Sequence, residues 1–301
     1  MANQFDLRDL RYFEAIADAG HVGRAARALH RSQPTLTGAV RRIEEKLGVA
    51  LFMRAGRGIK LTAAGEALHD RARTLRIAAD DTEREVADIG RGHAGLVRMG
   101  MAPTPARFLM PPLCRNVLRE FPGIAFRTII ANNDVLQASL KSGELDFTVN
   151  LVSPAENDVV SHVIFSDECV VVASRNHPIF KGKATMKDLA RYGWVMGGPS
   201  VATREWLVRT FQDNGLPPPA VRIETNQILF LPTMIEENEL LSFISRRHLA
   251  PQGKLKEVRL RQTTWRREFA ISFRRDSYLS PAADRMIQML RIRGEVLFDR
   301  G

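Results

Sequence analysis

Residues 24–48 have the sequence RAARALHRSQPTLTGAVRRIEEKLG, which predicts two helices joined by a tight turn. Proline disfavours a helical conformation at the residue before it, so Gln33-Pro34 indicates a break between the helices. Pro34 is tolerated in the first turn of the second helix because its missing N–H would have no intrahelical partner there. Ser32 precedes it, where a side-chain oxygen can accept a hydrogen bond from a free N–H. The stretch therefore predicts a helix, a turn and a capped second helix.

Apolar side chains recur at helical spacing on both expected helices. Ala25, Ala26 and Leu29 form a small apolar face on the first helix. The second helix carries a matching stripe at steps of three and four, formed by Leu36, Val40, Ile43 and Leu47. Such stripes face the interior of a domain, so we expect these residues to pack together as core.

The composition is that of a folded protein with several domains and an excess of positive charge. The 301 residues are 45% hydrophobic and 26% charged, which is ordinary for globular proteins and enough for two or three cores. The formal net charge of +10 favours polyanions or small acids as partners. Residues 1–62 hold 11 Lys or Arg and 6 Asp or Glu, so one fifth of the chain carries half of the net charge. This concentration is typical of a module that binds nucleic-acid phosphates, although a solvated basic face is the alternative.

The N-terminal sequence and the small number of cysteines indicate a reducing compartment. The first residues, MANQFDLRDLRYF, lack the apolar core of a signal peptide, and no run approaches the roughly 20 apolar residues of a membrane span. Cys114 and Cys169 are too few for a disulfide framework, and both lie in apolar contexts. We therefore expect a cytoplasmic protein with two buried thiols, and a redox-sensing cysteine pair is the alternative.

Residues 63–89 predict one long helix with an apolar seam. The segment contains no proline and a single glycine near its start. Alternating steps of four and three give a heptad pattern formed by Leu68, Ala72, Leu75, Ala79, Thr82, Val86 and Ile89. Because a heptad seam pairs with a second helix, we expect this one to dimerise the protein. The alternative is an amphipathic helix lying on its own domain. Gly90-Arg91-Gly92 ends the helix and supplies a hinge.

From residue 95 the pattern alternates between strands and helices. LVRMGMA and GIAFRTIIA predict strands on either side of the helical segment PARFLMPPLCRNVLREF, and VVSHVIF and CVVVAS predict two separate strands farther on. Alternation of this kind indicates α/β layers with largely parallel sheets, and there are too many strands for one small sheet. We therefore expect two α/β lobes.

The opening motif and its neighbours resemble the LysR-type transcriptional regulators. The matching segments run in order across roughly the first 65 residues and are LRYF, AARALHRSQPTLT, RRIEEKLGVALFMR and GIKLTAAGE. Three later segments also resemble the effector-binding half of that family: VRMGMAPTPARFLMPPL, LKSGELDFTVN and PAADRMIQML. The resemblance implies an α/β protein with an N-terminal all-α winged helix-turn-helix, a linker helix and a two-lobed, periplasmic-binding-protein-like effector domain.

The resemblance also implies domain boundaries and partners. The winged helix-turn-helix would span residues 1–62, the dimerisation helix and hinge 63–92, and the effector-binding domain 93–301. Lobe I would comprise residues 93–164 and 268–301, and lobe II residues 165–267. Such a protein is a sequence-specific regulator of transcription that needs no cofactor and responds to a small-molecule effector. It would form a homodimer or homotetramer on a DNA operator, with RNA polymerase as a candidate partner.

The same resemblance assigns roles within the helix-turn-helix. The first motif helix would run from Val22 to about His30, and the recognition helix from Ser32 to about Leu47. A recognition helix contacts bases with its N-terminal residues, so Gln33 and Thr37 are the candidates for base contacts. The other expected DNA-binding residues are Arg31, Ser32, Thr35, Arg41, Arg42, Arg54, Arg57 and Lys60, of which the basic ones suit phosphates. Gly56 and Gly58 would form the tip of the wing.

Two positions depart from the family pattern. Gly38 stands where the family usually has a longer polar side chain facing the bases, and it lowers helix propensity. His21 begins the first motif helix in place of the usual serine, which predicts a weaker cap.

The effector would lie between the lobes, where strand ends meet helix N-termini. Thr104 precedes a helix expected to start near Pro105, and Ser200 and Thr203 lie at the start of another. Asn226 and Gln227 end a strand at the same rim. Helix N-termini offer free N–H groups and positive potential to a carboxylate. These residues predict a site for a small organic acid, either aromatic or short-chain, and the alternative is that each is an ordinary helix cap.

Other function classes fit the sequence less well. We find no nucleotide-binding P-loop, no GxSxG motif and no HExxH zinc motif, and the seven histidines lack metal-ligand spacing, so we expect neither an enzyme nor a metal site. Asp167-Glu168 is an isolated acidic pair that predicts a solvated strand start rather than an acid/base pair. An architectural DNA-binding protein without an effector is the alternative, but it would not need the α/β second half. A periplasmic solute-binding protein would need a signal peptide.

Overall fold

The computed structural model describes residues 6–56, 58–90, 95–154, 156–199, 201–225, 230–250 and 253–300. The chain folds as two compact units, Met1–Gly92 and His93–Gly301. No helix among these described residues is long and apolar enough to cross a membrane.

The first unit is a winged helix-turn-helix followed by a long helix. Its elements are α1 (Leu7–Ala19), α2 (Val22–Ala28), α3 (Gln33–Leu47), β1 (Phe52–Ala55), β2 (Gly58–Leu61) and α4 (Ala63–Gly90). α1, α2 and α3 enclose a core in which Phe13 and Leu36 are fully buried. β1 and β2 form an antiparallel hairpin with Phe52 opposite Leu61, and this hairpin is the wing.

Local capping explains where the helices of this unit begin and end. Ser32 Oγ accepts a hydrogen bond from the Thr35 N–H at 3.3 Å, which caps α3. His21 Nδ1 accepts from the Gly23 N–H at 3.0 Å, so histidine does cap α2. The expected core stripe is buried except at its end, where Leu47 is 40% exposed. The prediction for Leu47 is wrong because it lies in the last turn before Gly48, beyond the reach of the core.

The first half of α4 packs on its own unit. Ala72 is fully buried in the helix-turn-helix core, and Leu68 packs against that core. The prediction that these two residues lie in a dimerisation seam is therefore wrong. They pack on their own domain, as expected for the alternative of an amphipathic helix. Farther along the helix, Leu75, Val86 and Ile89 are 48%, 65% and 66% exposed. These three residues form an apolar edge of α4 that no other part of the described chain covers.

The second unit alternates strands and helices. Its elements are β3 (Leu96–Met101), α5 (Pro103–Glu120), β4 (Ala125–Ile130), α6 (Asn133–Lys141), β5 (Phe147–Leu151), β6 (Val159–Ser174), α7 (Met186–Leu189), β7 (Gly193–Met196), α8 (Ala202–Asp213), β8 (Ala220–Glu224), α9 (Leu231–Glu237), β9 (Ser242–Ser245), β10 (Leu255–Glu257), β11 (Trp265–Arg274) and α10 (Pro281–Arg300). Short 3-10 helices cover Pro178–Lys181, Arg246–His248 and Arg261–Thr263.

A seven-stranded mixed sheet organises this unit. Its strand order is β10-β6-β11-β5-β3-β4, and β9 also pairs with β6. β3 pairs in parallel with β4 and β5, whereas β6 and β11 pair with their neighbours antiparallel. A separate parallel pair, β7 and β8, is joined to Leu241 by a bridge at Trp194. The expectation of largely parallel sheets is therefore wrong, because two long antiparallel strands occupy the middle of the larger sheet.

β6 is one continuous strand of 16 residues, where two strands were expected. The polar residues between its two apolar runs suggested a break. In the fold they pair with β11, with Asp167 opposite Arg267 and Glu168 opposite Arg266. The expected lobe boundaries near residues 164 and 268 fall inside β6 and β11, and they stay a prediction.

Two main cores lie along these long strands. One contains Phe147, Phe269 and Leu290 and is covered by α5 and α10. The other contains Trp194, Leu207 and Phe211 and is covered by α8. The strands β6 and β11 contribute to both cores, and the ends of the shorter strands meet between them.

Candidate DNA-binding helix and ligand cleft

The N-terminal half of α3 presents polar side chains to solvent. Gln33, Thr35 and Thr37 are exposed there, as are Arg31 before the helix and Arg41 within it. Ser32 and Thr35 also have a local role, because their hydroxyl oxygens lie 2.8 Å apart in the cap. Arg41 pairs with Glu45 one turn later at 2.6 Å, and both side chains are exposed. An exposed pair of this kind is weak and screened by salt, so Arg41 can exchange Glu45 for another anion.

Arg42 has an intramolecular partner that the sequence did not reveal. Its Nε donates to Asp9 Oδ2 at 2.8 Å and its Nη2 donates to Asp9 Oδ1 at 2.6 Å. The Asp9 side chain is 7% exposed. The hydrogen bond with Asp9 raises the pKa of Arg42. This bidentate pair ties α3 to α1 and fixes the orientation of the recognition helix.

Two of the three basic residues expected in the wing lie among the described residues. Arg54 on β1 and Lys60 on β2 are exposed, and Lys60 pairs across the hairpin with Met53. Gly56 has a φ of 58°, which turns the chain at the tip. Arg57 lies outside the described residues.

A ligand cleft of about 360 Å³ lies in the second unit. It is formed where the ends of β3, β4 and β7 meet the starts of α5, α6 and α8, together with β9. This volume is within the range of small-molecule sites. Of the expected effector-binding residues, Thr104 and Thr203 line the cleft. Ser200, Asn226 and Gln227 lie outside the described residues.

A buried ion pair lies at the floor of this cleft. Arg267 donates to Asp167 Oδ2 from Nη2 at 2.6 Å and from Nε at 3.0 Å. Arg267 Nη2 also donates to Thr104 Oγ1 at 3.2 Å, and Ser245 Oγ donates to Asp167 Oδ1 at 2.8 Å. The prediction that Asp167 is a solvated strand residue is therefore wrong, because β11 places an arginine opposite it.

The helix starts around the cleft differ from the expected ones. α5 begins at Pro103, so Thr104 lies inside the first turn and its hydroxyl bonds Arg267 instead of capping the helix. α5 has no side-chain cap, and its first and third residues, Pro103 and Pro105, have no N–H to offer. α8 begins at Ala202 and also lacks a side-chain cap. The N–H groups of Arg204 and Glu205 donate to the Val201 carbonyl, which leaves those of Ala202 and Thr203 open to a ligand.

Charge around the cleft is balanced at the floor and negative at the rim. Arg267 and Asp167 neutralise each other, and Asp134 and Glu205 are exposed in the first turns of α6 and α8. Such acidic residues stabilise a helix start, and water screens exposed charges.

The two cysteines are poorly suited to redox chemistry. Cys169 lies in the cleft wall and is fully buried, and its burial raises the pKa of its thiol to about 12. Burial also raises the pKa of the half-buried Cys114 thiol. Because the thiolate is the reactive form, burial disfavours thiol reactivity at both positions. Across the described part of the chain, no cluster of three or more His, Cys, Asp and Glu could hold a metal ion.

Sequence reasoning missed Arg267, Asp167 and Ser245. The available sign was that Arg267 shares the alternate positions of the segment WRREFAISF with four apolar residues, Trp265, Phe269, Ile271 and Phe273. Alternation alone leaves the facing residue unknown, because Arg267 and Asp167 are 100 positions apart.

A winged helix-turn-helix joined to a two-lobed domain with a ligand cleft defines a ligand-responsive, DNA-binding transcriptional regulator. The chain belongs to the LysR family of these regulators. Residues 7–66 match the bacterial regulatory helix-turn-helix protein model of the lysR family, and residues 90–294 match the LysR substrate binding domain model. Members of this family regulate transcription and are not enzymes.

The similarity to known proteins and solved structures covers nearly the whole chain. The HTH-type transcriptional regulator GbpR of Azospirillum brasilense is 28% identical over 293 residues, which are 95% of this chain and 85% of that protein. CbbR of Xanthobacter flavus is 27% identical over 299 residues, covering 98% and 90%. A full-length OxyR variant from Pseudomonas aeruginosa has a TM-score of 0.61 at 23% identity, covering 98% and 96%. Full-length CbnR in complex with its target DNA has a TM-score of 0.59 at 22% identity, covering 95% and 99%.

Proposed function

We propose that a small organic acid binds in the ligand cleft and changes how this regulator engages its operator. The observation that carries the proposal is the position of Arg267 and Thr104 at the cleft floor. Arg267 uses Nε and Nη2 for its partners, which leaves Nη1 as a donor. Thr104 accepts from Arg267, so its own hydroxyl proton is available to a ligand oxygen.

The carboxylate would lie between these groups and the start of α8. The uncapped N–H groups of Ala202 and Thr203 supply two more donors and a positive helix end. Met196, Phe243 and Phe269 form an apolar part of the cleft wall that suits an aliphatic or aromatic body. The family resemblance adds Ser200, Asn226 and Gln227, which lie outside the described residues, as further proposed contacts of the ligand.

DNA recognition is assigned to α3 and the wing. Gln33 and Thr37 would contact base edges, and the remaining proposed contacts come from Arg31, Ser32, Thr35, Arg41, Arg42, Arg54, Arg57 and Lys60. A glutamine amide pairs with the adenine edge, and a threonine methyl contacts thymine. Basic side chains at phosphates position the helix without specifying sequence. Because the partner is chromosomal DNA, we place the protein in the cytoplasm.

Dimerisation is assigned to the uncovered edge of α4. Leu75, Val86 and Ile89 would pair with the same residues of a second copy, as a homodimer or within a homotetramer. Two recognition helices could then engage two half-sites. A ligand can shift the equilibrium between two arrangements of the lobes only if its affinities for the two arrangements differ. Contact with RNA polymerase would then convert this shift into regulation of transcription.

Calorimetry tests the effector proposal. Aromatic and short-chain aliphatic carboxylates are titrated into the full-length protein and into Thr104→Val, Thr203→Val and the control Thr210→Val, which lies on α8 away from the cleft. We expect the tightest acid to lose about tenfold in affinity with Thr104→Val, because a hydrogen bond to a charged group is lost. The control should bind the acid as wild type does.

Two outcomes would contradict the effector proposal. If the tightest acid bound Thr104→Val and Thr203→Val as well as wild type, the acid site would lie elsewhere. If no acid bound while DNA binding was intact, the effector-independent DNA-binding alternative would be supported.

A further inference from the structure

A second cavity of about 440 Å³ lies on the α6 side of the seven-stranded sheet. Its walls come from α6, β5, β6 and β11 and from the segment that follows β5. The apolar residues Phe147 and Val149 of β5 face the core under α5 and α10, so the alternate residues Thr148 and Asn150 face this cavity. The volume is again that of a small-molecule site.

The floor of the second cavity is a row of hydroxyl groups. Ser272 on β11 lies opposite Thr148 on β5 and opposite Ser161 on β6, so the three side chains are cross-strand neighbours. The Ser161 and Ser272 oxygens are 2.5 Å apart. Thr148 is fully buried, and its Oγ1 has no hydrogen-bond partner among the described residues. Burying a hydroxyl group without a hydrogen-bond partner costs free energy, so we expect the Thr148 hydroxyl to have a partner in the cavity.

Basic side chains stand at the mouth of the second cavity. Arg275 is exposed, and its Nε donates to the Asn157 carbonyl at 3.1 Å, which positions the guanidinium beside the opening. Lys141 also lines the mouth, where Glu156 pairs with it at 2.7 Å. Lys141, Arg275 and Glu156 together carry a net charge of +1 at neutral pH.

A polar partition separates this cavity from the ligand cleft. Asn133 Nδ2 and Gln137 Nε2, both on α6, donate to Ser153 Oγ. Asn133 lines the cleft, Ser153 lines the second cavity, and Gln137 lines both. The two spaces therefore share a wall but have different chemistry, because the cleft is mainly apolar and the second cavity has a hydroxyl and amide floor.

We propose that the second cavity is a separate binding site for a small polyhydroxylated anion, such as a sugar acid or a sugar phosphate. Ligand hydroxyls would pair with Thr148, Asn150 and Ser272, and the anionic group would bind Arg275. An apolar ligand would leave the Thr148 hydroxyl unpaired, and a cation would meet the net positive mouth. This inference goes beyond the proposed function, since it concerns different residues and a different ligand class.

Calorimetry on the full-length protein tests the second site. The probes are gluconate, glucose 6-phosphate, glucose and inorganic phosphate, so that carboxylate and phosphate sources are distinguished. We expect at least one of the two sugar anions to bind more tightly than glucose or inorganic phosphate. Arg275→Gln should weaken that binding by about tenfold. Arg266→Gln, at an exposed arginine on β11 outside the cavity, should leave it unchanged.

The Thr148→Val variant distinguishes an effect on ligand binding from an effect on folding. Valine has nearly the same shape and removes a hydroxyl that lacks a partner, so the ligand-free variant should unfold at the same temperature as wild type or higher. Its affinity for the sugar anion should nevertheless fall. Thr104→Val, in the ligand cleft, should bind the sugar anion as wild type does.

Three results would overturn the proposal. The first is no binding of either sugar anion at millimolar concentration. The second is binding that neither Arg275→Gln nor Thr148→Val weakens. The third is binding that Thr104→Val removes, which would place the sugar anion in the ligand cleft.

Discussion

Arg267 on β11 and Asp167 on β6 lie directly opposite each other, and their ion pair closes the floor of the ligand cleft. The arginine side chain is 8% exposed and the aspartate side chain 1% exposed. Ser245 donates to the Asp167 carboxylate on one side of the pair, and Thr104 accepts from Arg267 on the other. Both charges are therefore buried against each other, which makes the pair a sensitive point of the fold.

Arg267→Met should lower the free energy of unfolding by about 3–5 kcal/mol, because it leaves the Asp167 carboxylate buried and unpaired. Urea denaturation of the full-length protein, followed through the transition of the second unit, measures this loss. The double variant Arg267→Met with Asp167→Leu should recover most of it, since no buried charge remains. A double variant as unstable as the single one would show that the unpaired charge is not the cause.

Gly38→Ala should stabilise the first unit by about 0.5–1 kcal/mol, because alanine is the better helix former in the middle of α3. A Cβ built at Gly38 would meet only Arg42 Nη1, at 3.6 Å, so the methyl group fits. Thermal unfolding measures the change. Gly48→Ala is the matched control and should destabilise, because Gly48 ends α3 with a φ of 68°. A loss of stability with Gly38→Ala would contradict the packing around α3.

Arg41→Ala should weaken binding to all DNA sequences alike, because the side chain is exposed and suited to a phosphate. The slope of log affinity against log salt should fall in magnitude by about 1. Gln33→Ala should instead lose about 1–3 kcal/mol of discrimination at one base pair. Binding to fragments selected from genomic DNA measures both, with Arg119→Ala in the second unit as the control. The absence of any DNA binding at low salt would refute the assignment of α3.

Leu75→Asp should dissociate the dimer without unfolding the chain. Leu75 is 48% exposed in the single chain, so a charge there costs little until a second helix covers it. Sedimentation should show smaller particles, and DNA affinity should fall because two half-sites are no longer held together. Thr74→Glu, at an exposed position outside the seam, is the control. An unchanged assembly state with unchanged DNA affinity would show that α4 does not mediate dimerisation.

His248 should make the second unit less stable in weak acid. Burial lowers the pKa of its imidazole to about 4, and the neighbouring positive charge of Arg107 acts in the same direction. Its Nδ1 lies 3.3 Å from the Ser245 carbonyl, and its Nε2 is buried without a partner among the described residues. The folded protein thus binds this proton less readily than the unfolded chain does.

The sign of the pH effect follows from that difference. The unfolded chain takes up the proton near pH 6.5 and the folded protein only near pH 4, so stability falls as the pH falls through this window. The contribution of His248 should be at most about 3 kcal/mol. Urea denaturation across the window should show a shallower dependence for His248→Gln than for wild type and for the control His162→Gln. Equal slopes in all three proteins would remove His248 as the cause.

The sequence by itself determined the helix-turn-helix. The cap at Ser32, the proline in the first turn of α3 and the apolar stripe through Leu36 and Ile43 act over a few residues, so their spacing predicts the local structure directly. The same kind of local pattern predicted α4 and placed Thr104 and Thr203 at helix starts, whereas the wing and the cleft were implied by the family resemblance. The family resemblance added the order of the domains, which periodicity alone could not supply.

Only the tertiary structure decided which charged and polar residues meet. Arg267 and Asp167 are 100 positions apart, and Thr104 is 163 positions from Arg267. Strand pairing brings them together, and no local pattern records which residue a strand will face. The same is true of the hydroxyl row under α6 and of Ala72, which the fold uses as core instead of as a dimer contact. Local rules select helices and turns, but side chains far apart in the chain acquire their partners, and hence their chemistry, from the packing of the whole unit.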